Sequence, residues 1–170
     1  FIFGRGAEEC LHLSAHGIAF EVVPGISATA AVPAYAGIPL TARDISTSFI
    51  AITGHEHACK NKSDVDWKTI AALKTTLVIF MGIFSIRHIC SQLLQYGLDQ
   101  ETPAAVIRWG TVPDKQQVVT GTVQTIANEV EQNNLRPPGL IVIGEVVRYH
   151  DQLQWFHQTL ATAQVAQTES

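Results

Sequence analysis

The chain has 170 residues, 46% hydrophobic and 15% charged, with a formal net charge of −4; it can bury a core, which excludes a disordered protein. The negative charge argues against a nucleic-acid partner, because the phosphate backbone needs a basic surface. The apolar runs are shorter than the roughly 20 residues of a membrane span, which predicts a protein without membrane association. The three cysteines show no Cys-x-x-Cys spacing, which is typical of thiols in a reducing compartment and predicts a cytoplasmic protein.

In chain order, apolar spacing and the positions of glycine and proline predict alternating helices and strands. The first half contains a helix over Ala7–Ala15, a strand over Phe20–Val23, a helix from Ser27 to about Gly37 and a strand over Ile45–Thr53. The hydroxyl group of Ser27 is expected to cap its helix, and Pro33 is expected to kink or delay it. The polar segment GHEHACKNKSDVD then predicts a loop.

The second half repeats strands and helices around continuous apolar runs. Its predicted elements are a helix over Trp67–Leu73 capped by Asp66, a strand over Thr76–Met81, a helix from Ile83 to about Gly97, strands over Ala104–Trp109 and Val118–Thr120, a helix over Val123–Gln132, a strand over Leu140–Val147 and a last helix from Asp151 to about Ala161. This alternation predicts an α/β or mixed-sheet α+β architecture. The tail QVAQTES is expected to fray.

Three predicted strands end in motifs that contain glycine: VVPG, FMG and RWGT. Ligands of α/β sheets bind beyond the carboxyl ends of strands, and glycine lets a ligand approach the main chain closely. The motifs therefore predict a small-molecule site built from main-chain amides and carbonyls. Taken alone, Met81 of FMG is more typical of a core residue.

Other motifs carry weaker predictions. FGRGAEE has Glu9 where a dinucleotide fingerprint requires its third glycine, so that fingerprint fails. HEHAC, residues His55 to Cys59, could offer imidazole and thiolate ligands to zinc, but no fourth ligand is evident. We therefore predict a solvated loop and no metal site. The Gly-x-Ser-x-Gly elbow is absent from the sequence, and we identify no catalytic nucleophile.

Six blocks in order resemble the uroporphyrinogen-III C-methyltransferases of the tetrapyrrole methylase family: FIFGRGAEE, FEVVPGISATAAVPAYAGIPLTARD, TLVIFMG, TPAAVIRWGT, VVTGTV and LIVIGEVV followed by LQWF. AYAGIPLT and the GEVV…WF ending favour this group over precorrin-methylating relatives. Three positions depart from the family pattern: Ala7, Ala42 and Pro33.

The resemblance implies the tetrapyrrole methylase fold, an α/β fold. This chain would contain its C-terminal mixed-sheet α/β domain plus the tail of its N-terminal domain. Residues 1–40 are expected to be that tail and the interdomain connection, residues 41–163 the C-terminal domain, and residues 164–170 a frayed tail. The family's acid and base residues would lie before Phe1 in an N-terminally truncated chain, so the catalytic residues are unknown. We expect a Gly-Gly-Asp-Pro run to be encoded upstream.

The resemblance also implies an activity: C-methylation of uroporphyrinogen III to precorrin-2, in sirohaem and cobalamin biosynthesis, by an enzyme that usually forms a homodimer. The cofactor S-adenosyl-L-methionine would leave as S-adenosyl-L-homocysteine. The family's cofactor contacts carry over to Ile2, Ser27, Ala28, Met81 and Gly110.

For substrate carboxylates we predict Arg43, with Arg5 and Arg108 as further candidates; the alternative is a surface or packing arginine. Two other functions stay open. The chain could be a non-catalytic remnant that acts as a dimerisation or interaction module, or a methyltransferase for another tetrapyrrole intermediate.

Overall fold

The structure is a computed structural model, which describes residues 1–54 and 65–156. Its helices are α1 (Gly6–Ala15), α2 (Ala28–Tyr35), α3 (Trp67–Ala72), α4 (Ile86–Gln95), α5 (Ile126–Gln132) and α6 (His150–Leu153). Its strands are β1 (Phe49–Thr53), β2 (Thr76–Phe80), β3 (Pro103–Arg108), β4 (Gln117–Thr122) and β5 (Gly139–Ile143). Short 3₁₀ turns cover Ile83–Ser85 and Glu145–Tyr149. In these two ranges no helix is long and apolar enough to cross a bilayer.

The five strands form one mixed sheet in the order β1-β2-β5-β3-β4. β1 pairs parallel with β2, whereas β5 pairs antiparallel with both β2 and β3, and β4 pairs antiparallel with β3. β2 and β3 therefore point the same way on either side of β5. Their carboxyl ends and the beginning of β5 meet at one end of the sheet. The architecture confirms the predicted mixed α/β class.

The central strands β2, β3 and β5 are buried on both faces, as their continuous apolar sequences predict. One face packs against α3, α4 and α5, and the buried residues of α4 recur at helical spacing: Ile86, Ile89, Cys90 and Leu93. The opposite face packs against the end of α2 and the Glu145–Tyr149 turn. The sheet is thus covered by helical elements on both sides.

Two predicted caps are confirmed. The Ser27 hydroxyl accepts a hydrogen bond from the amide of Thr29 at 3.2 Å at the beginning of α2. The Asp66 carboxylate accepts one from the amide of Thr69 at 3.1 Å in α3. Pro33 lies inside α2, three residues before its C-cap. The helix stops before Gly37, which has φ 69°, and the following amide of Ile38 donates to the Pro33 carbonyl.

The strand predicted over Phe20–Val23 is wrong, because residues 18–27 have no regular structure. Its apolar side chains face outward, and Val23 is 81% exposed. A strand needs a neighbour for its amides and carbonyls, and none of the strands in the described ranges pairs with this segment. The helix α1 does form as predicted, but in these ranges it also lacks a partner surface, since none of its residues is buried. The domain boundary near residue 40 stays a prediction.

Several other boundaries move. β1 begins at Phe49 rather than Ile45, since Ala42 and Ser46 form a separate bridge before it. α5 begins at Ile126, because a turn forms at the end of β4, in which the Thr122 amide donates to the Thr125 hydroxyl. β5 ends at Ile143, where Gly144 leads into a 3₁₀ turn. The loop predicted around HEHAC and the tail QVAQTES lie outside the described residues, apart from the ends of the loop.

The last helix also differs from its prediction. α6 begins at His150 and ends at Leu153, so Asp151 lies inside the helix and does not cap it. The part of that predicted helix beyond Phe156 is outside the described residues.

Burial of Cys90 on α4 produces a testable pH dependence. Desolvation raises the pKa of its thiol from 9.0 to about 11, and the residue is 4% exposed. The unfolded chain releases this thiol proton at a lower pH than the folded chain does. The contribution of Cys90 to the free energy of unfolding is therefore complete below pH 9 and is lost as the pH rises towards 11. We expect the free energy of unfolding to lose roughly 2 to 3 kcal/mol more in the native chain than in Cys90→Ala over that range. Urea titrations of both proteins at several pH values measure this difference. Free energies of unfolding that change with pH by the same amount in the two proteins would contradict the prediction.

Candidate functional site: a cavity at the end of the sheet

A cavity of about 670 Å³ lies at the end of the sheet where β2 and β3 finish and β5 begins. Its walls come from four segments: α2, the turn after β2, the turn after β3 and the beginning of β5. The lining residues are Ala28, Val32, Phe80, Met81, Ile83, Phe84, Ile107, Trp109, Gly110, Val112, Pro137, Pro138, Gly139 and Leu140. The site thus depends on the strand order rather than on one stretch of sequence.

The strands turn sharply as they reach the cavity. Met81, directly after β2, has φ 54°, and Trp109, directly after β3, has φ 50°. Thr111 has φ 72°, which is unusual for a β-branched residue. Left-handed non-glycine residues are costly and concentrate at functional sites. Here two of them, Met81 and Trp109, contribute to the cavity wall.

Gly110 lies where the turn after β3 touches α2. A Cβ atom at this position would lie 2.6 Å from Cγ1 and 2.8 Å from Cγ2 of Val32. Such separations are shorter than van der Waals contact, so only glycine fits without a shift of the helix or the turn. The close approach brings two walls of the cavity together.

The hydrogen-bond donors that we assign to the cavity are main-chain amides. None of its lining residues is Asp, Glu, His, Lys or Arg. The amide of Ala28 is among the first of α2, where a helix supplies no acceptor of its own. Within the described ranges, the amide of Gly110 makes no hydrogen bond. The cavity can therefore offer apolar walls and main-chain donors, but no acid or base from its lining side chains.

Perturbed ionisable groups lie on other elements. Hydrogen bonds from the Thr69 side chain and amide lower the pKa of Asp66, the N-cap of α3. A hydrogen bond from Arg148 to Glu145 raises the pKa of the arginine beside α6. None of these residues lines the cavity. In the two described ranges, no group of three or more His, Cys, Asp and Glu side chains could hold a metal ion; the HEHAC motif is outside them.

Three of the predicted cofactor residues come together. Ala28, Met81 and Gly110 all line this cavity, although they come from α2 and the turns after β2 and β3. Ser27 immediately precedes Ala28, and its hydroxyl is engaged with the Thr29 amide. The structure therefore brings three predicted residues onto one surface and places a fourth directly beside it.

The remaining predicted residues lie outside the cavity lining. Ile2 is 55% exposed, but the next residue, Phe3, packs against the ring of Phe80 with centroids 5.0 Å apart. Phe80 lines the cavity, but neither Ile2 nor Phe3 does. Arg43 is exposed in the turn between Ala42 and Ser46 and does not line the cavity.

Sequence reasoning missed several lining residues. Phe84 and the Pro137-Pro138 pair were not predicted, and Trp109 was quoted only as part of RWGT. The signal for Trp109 was an aromatic residue immediately before the glycine of a strand end. Pro-Pro-Gly directly before an apolar strand was the corresponding signal for the wall at the beginning of β5.

Comparisons with known proteins agree with this architecture. A profile of the tetrapyrrole (corrin/porphyrin) methylases matches residues 1–127. The uroporphyrinogen-III C-methyltransferase of Synechocystis is 50% identical over 149 residues, which are 88% of this chain and 56% of that protein. The siroheme synthase of Nitrosomonas europaea is 46% identical over 159 residues, which are 94% of this chain and 33% of that protein.

A solved structure shows the same likeness. The uroporphyrin-III C-methyl transferase of Thermus thermophilus, complexed with S-adenyl homocysteine, is 32% identical and has a TM-score of 0.72. The alignment covers 87% of this chain and 63% of that one. This chain spans 33% and 56% of the two curated relatives described above. The matched profile and the level of identity show that the chain belongs to the tetrapyrrole (corrin/porphyrin) methylases.

Proposed function

We propose that the protein binds S-adenosyl-L-methionine in this cavity and takes part in the C-methylation of uroporphyrinogen III to precorrin-2. The observation that carries the proposal is the convergence of Ala28, Met81 and Gly110 on one cavity. Further support comes from the Thermus thermophilus relative, which is a complex with S-adenyl homocysteine.

The cavity suits the adenosine part of that cofactor. Its volume of about 670 Å³ lies within the roughly 300 to 1,000 Å³ typical of small-molecule sites. The rings of Phe80, Phe84 and Trp109 offer apolar surface to a planar base. The amides of Ala28 and Gly110 supply donors for its polar atoms. A neutral, mostly apolar group therefore fits better here than a phosphate.

The bound cofactor would supply a methyl group on a sulfonium ion. The protein residues that line the cavity would hold and orient the cofactor and exclude water. Alignment of two reactants can contribute roughly 7 to 11 kcal/mol to lowering a barrier. Since the lining residues include no acid or base, alignment is the contribution that this part of the site can make.

Substrate recognition requires cations, because the porphyrinogen carries several carboxylates. Arg43 is exposed, and it has no ion pair or hydrogen bond within residues 1–54 and 65–156. Arg5 is paired with Glu8 at 2.6 Å, and Arg108 donates to Gln117 at 3.2 Å. We propose Arg43 as the first substrate contact to test, since its guanidinium group is not engaged.

Titration calorimetry with S-adenosylhomocysteine tests cofactor binding by this chain alone. We expect a dissociation constant on the order of micromolar, or about −8 kcal/mol. Adenosine alone should bind more weakly, because it lacks the amino-acid half of the ligand. Absence of heat at saturating ligand, with the chain shown to be folded, would contradict the proposed cavity.

Product analysis tests the substrate. Incubation of the chain with S-adenosylmethionine and uroporphyrinogen III should give precorrin-2. Methylation of another tetrapyrrole, supplied in a parallel incubation, without methylation of uroporphyrinogen III would contradict the proposed substrate while leaving the cofactor site intact. Binding without turnover would favour a non-catalytic role for this chain.

The exposed apolar surface of residues 1–27 supports an assembly role, and we propose a homodimer. Phe1, Leu11, Val23 and Ile26 are among its exposed residues, and α1 buries none of its side chains. Large apolar side chains that remain exposed are candidates for an interface between two copies of the chain. Sedimentation equilibrium should give twice the mass of one chain, and the mass of a single chain would contradict the dimer. A cytoplasmic location stays a prediction.

A further inference from the structure

A buried glutamine links two walls of the cavity. Gln116 lies between β3 and β4 and is 6% exposed. Its side-chain Oε1 accepts a hydrogen bond from the amide of Thr111 at 2.9 Å, and its Nε2 donates one to the carbonyl of Tyr35 at 3.1 Å. One amide group thus bridges two segments that are distant in sequence.

Both segments belong to the cavity. Thr111 follows Gly110 in the turn after β3, and Tyr35 is the last residue of α2, which also contributes Val32 to the lining. A left-handed residue such as Thr111 needs support from its surroundings. A carbonyl in the last turn of a helix has no donor within the helix. Gln116 satisfies both requirements at once.

We propose that Gln116 is a positioning residue: it holds the turn at Trp109–Val112 against α2 and so sets the spacing of the two walls that receive the cofactor. It does not line the cavity and acts through Thr111 and Tyr35. The inference rests on the proposed cofactor site, since the spacing matters for a ligand held between these walls.

The bridge requires one donor and one acceptor in a fixed arrangement. The primary amide of Gln116 provides both. An ionised glutamate at this position could accept from the Thr111 amide but would direct a second acceptor at the Tyr35 carbonyl. A protonated glutamate would restore the pattern, because its hydroxyl group can donate to that carbonyl. In Gln116→Glu, the hydrogen bonds to Thr111 and Tyr35 should therefore both form only at low pH.

The main experiment measures S-adenosylhomocysteine affinity of the native chain, Gln116→Glu and Gln116→Met at about pH 5.5 and about pH 8. Gln116→Glu should bind about tenfold more weakly than the native chain at pH 8, because a buried hydrogen bond is lost and an acceptor is left unpaired. It should recover most of that loss at pH 5.5, since burial raises the pKa of a carboxylate. Gln116→Met should bind weakly at both pH values.

Other titratable groups require a control. Tyr35 on α2 and His150 on α6 line a small cavity together with Gln116. Arg108 at the end of β3, and Asp114 and Lys115 in the loop that follows, are near Gln116 in the sequence. The native chain carries all of them, so its own change between the two pH values is subtracted. A purely structural role of Gln116 would lower the stability of both variants without a pH-dependent recovery of affinity in one of them.

A ligand-free measurement separates this inference from the proposed function. The indole ¹⁵N–H signal of Trp109, assigned with Trp109→Phe, reports the turn directly. In Gln116→Glu it should move with pH between two positions, the low-pH one matching the native chain. If the native chain fails to bind S-adenosylhomocysteine but this signal behaves as expected, the cofactor site is wrong and the bridge is upheld. A Trp109 signal and an affinity that are the same in Gln116→Glu and the native chain at both pH values would overturn the inference.

Discussion

Replacement of Gly110 by alanine is expected to weaken S-adenosylhomocysteine binding by about tenfold to a hundredfold, equivalent to the roughly 1 to 3 kcal/mol that overpacking costs. The added Cβ would lie 2.6 Å from Cγ1 of Val32. Either α2 or the turn after β3 must then move, and both line the cavity. Calorimetry on the folded variant measures the loss.

Two further variants make this result specific. Val32→Ala in the Gly110→Ala background removes both methyl groups that the new Cβ would meet, so it should restore part of the affinity. Gly6→Ala adds the same methyl group at the first residue of α1, where the nearest atoms, in the Phe1 ring, lie at an ordinary 3.6 Å, and it should bind like the native chain. Unchanged affinity in Gly110→Ala would mean that the ligand does not depend on the contact between these two walls.

Replacement of Gly37 by alanine is expected to destabilise the fold strongly. Gly37 has φ 69°, and a Cβ there would lie 2.5 Å from the carbonyl oxygen of Leu153 and 2.6 Å from the amide nitrogen of Gln154. Main-chain atoms cannot rotate aside as a side chain can. We expect a loss of about 3 kcal/mol or more in the free energy of unfolding, which combines left-handed strain with overpacking. Urea denaturation measures it.

Gly17 provides a matched control. Its φ of 68° is nearly the same, but no atom lies within 4 Å of its Cβ position. Gly17→Ala should therefore carry only the left-handed penalty, roughly 1 to 2 kcal/mol. Equal losses in the two variants would show that contact with Leu153 does not matter. A larger loss at Gly37 identifies the docking of α6 against the end of α2 as the stabilising contact.

That docking contact has other components. The Nδ1 atom of His150 lies 2.6 Å from the carbonyl oxygen of Ala36, and the indole of Trp155 donates to the carbonyl of Ala34 at 3.0 Å. Together with Gln116, these groups satisfy carbonyls at the carboxyl end of α2, which a helix leaves without donors. The helix that carries Ala28 and Val32 is thus anchored at the end opposite the cofactor residues.

Local signals in the sequence were sufficient for most of the elements. The apolar run of β2 predicted a buried strand, the spacing of Ile86 to Leu93 predicted α4, and Ser27 and Asp66 were correctly identified as caps. These features depend on neighbours within a few residues, so the pattern contains the information that they need.

What the sequence by itself determined is therefore the set of elements and the motifs at their ends. Only the tertiary structure decided that β5 begins between the ends of β2 and β3, which brings Ala28, Met81 and Gly110 to one cavity. It also decided that Phe20–Val23 forms no strand and that Gln116 joins two distant walls. The physical reason is the same in each case: strand pairing, burial and bridging hydrogen bonds depend on partners far away in the chain, which local spacing does not specify.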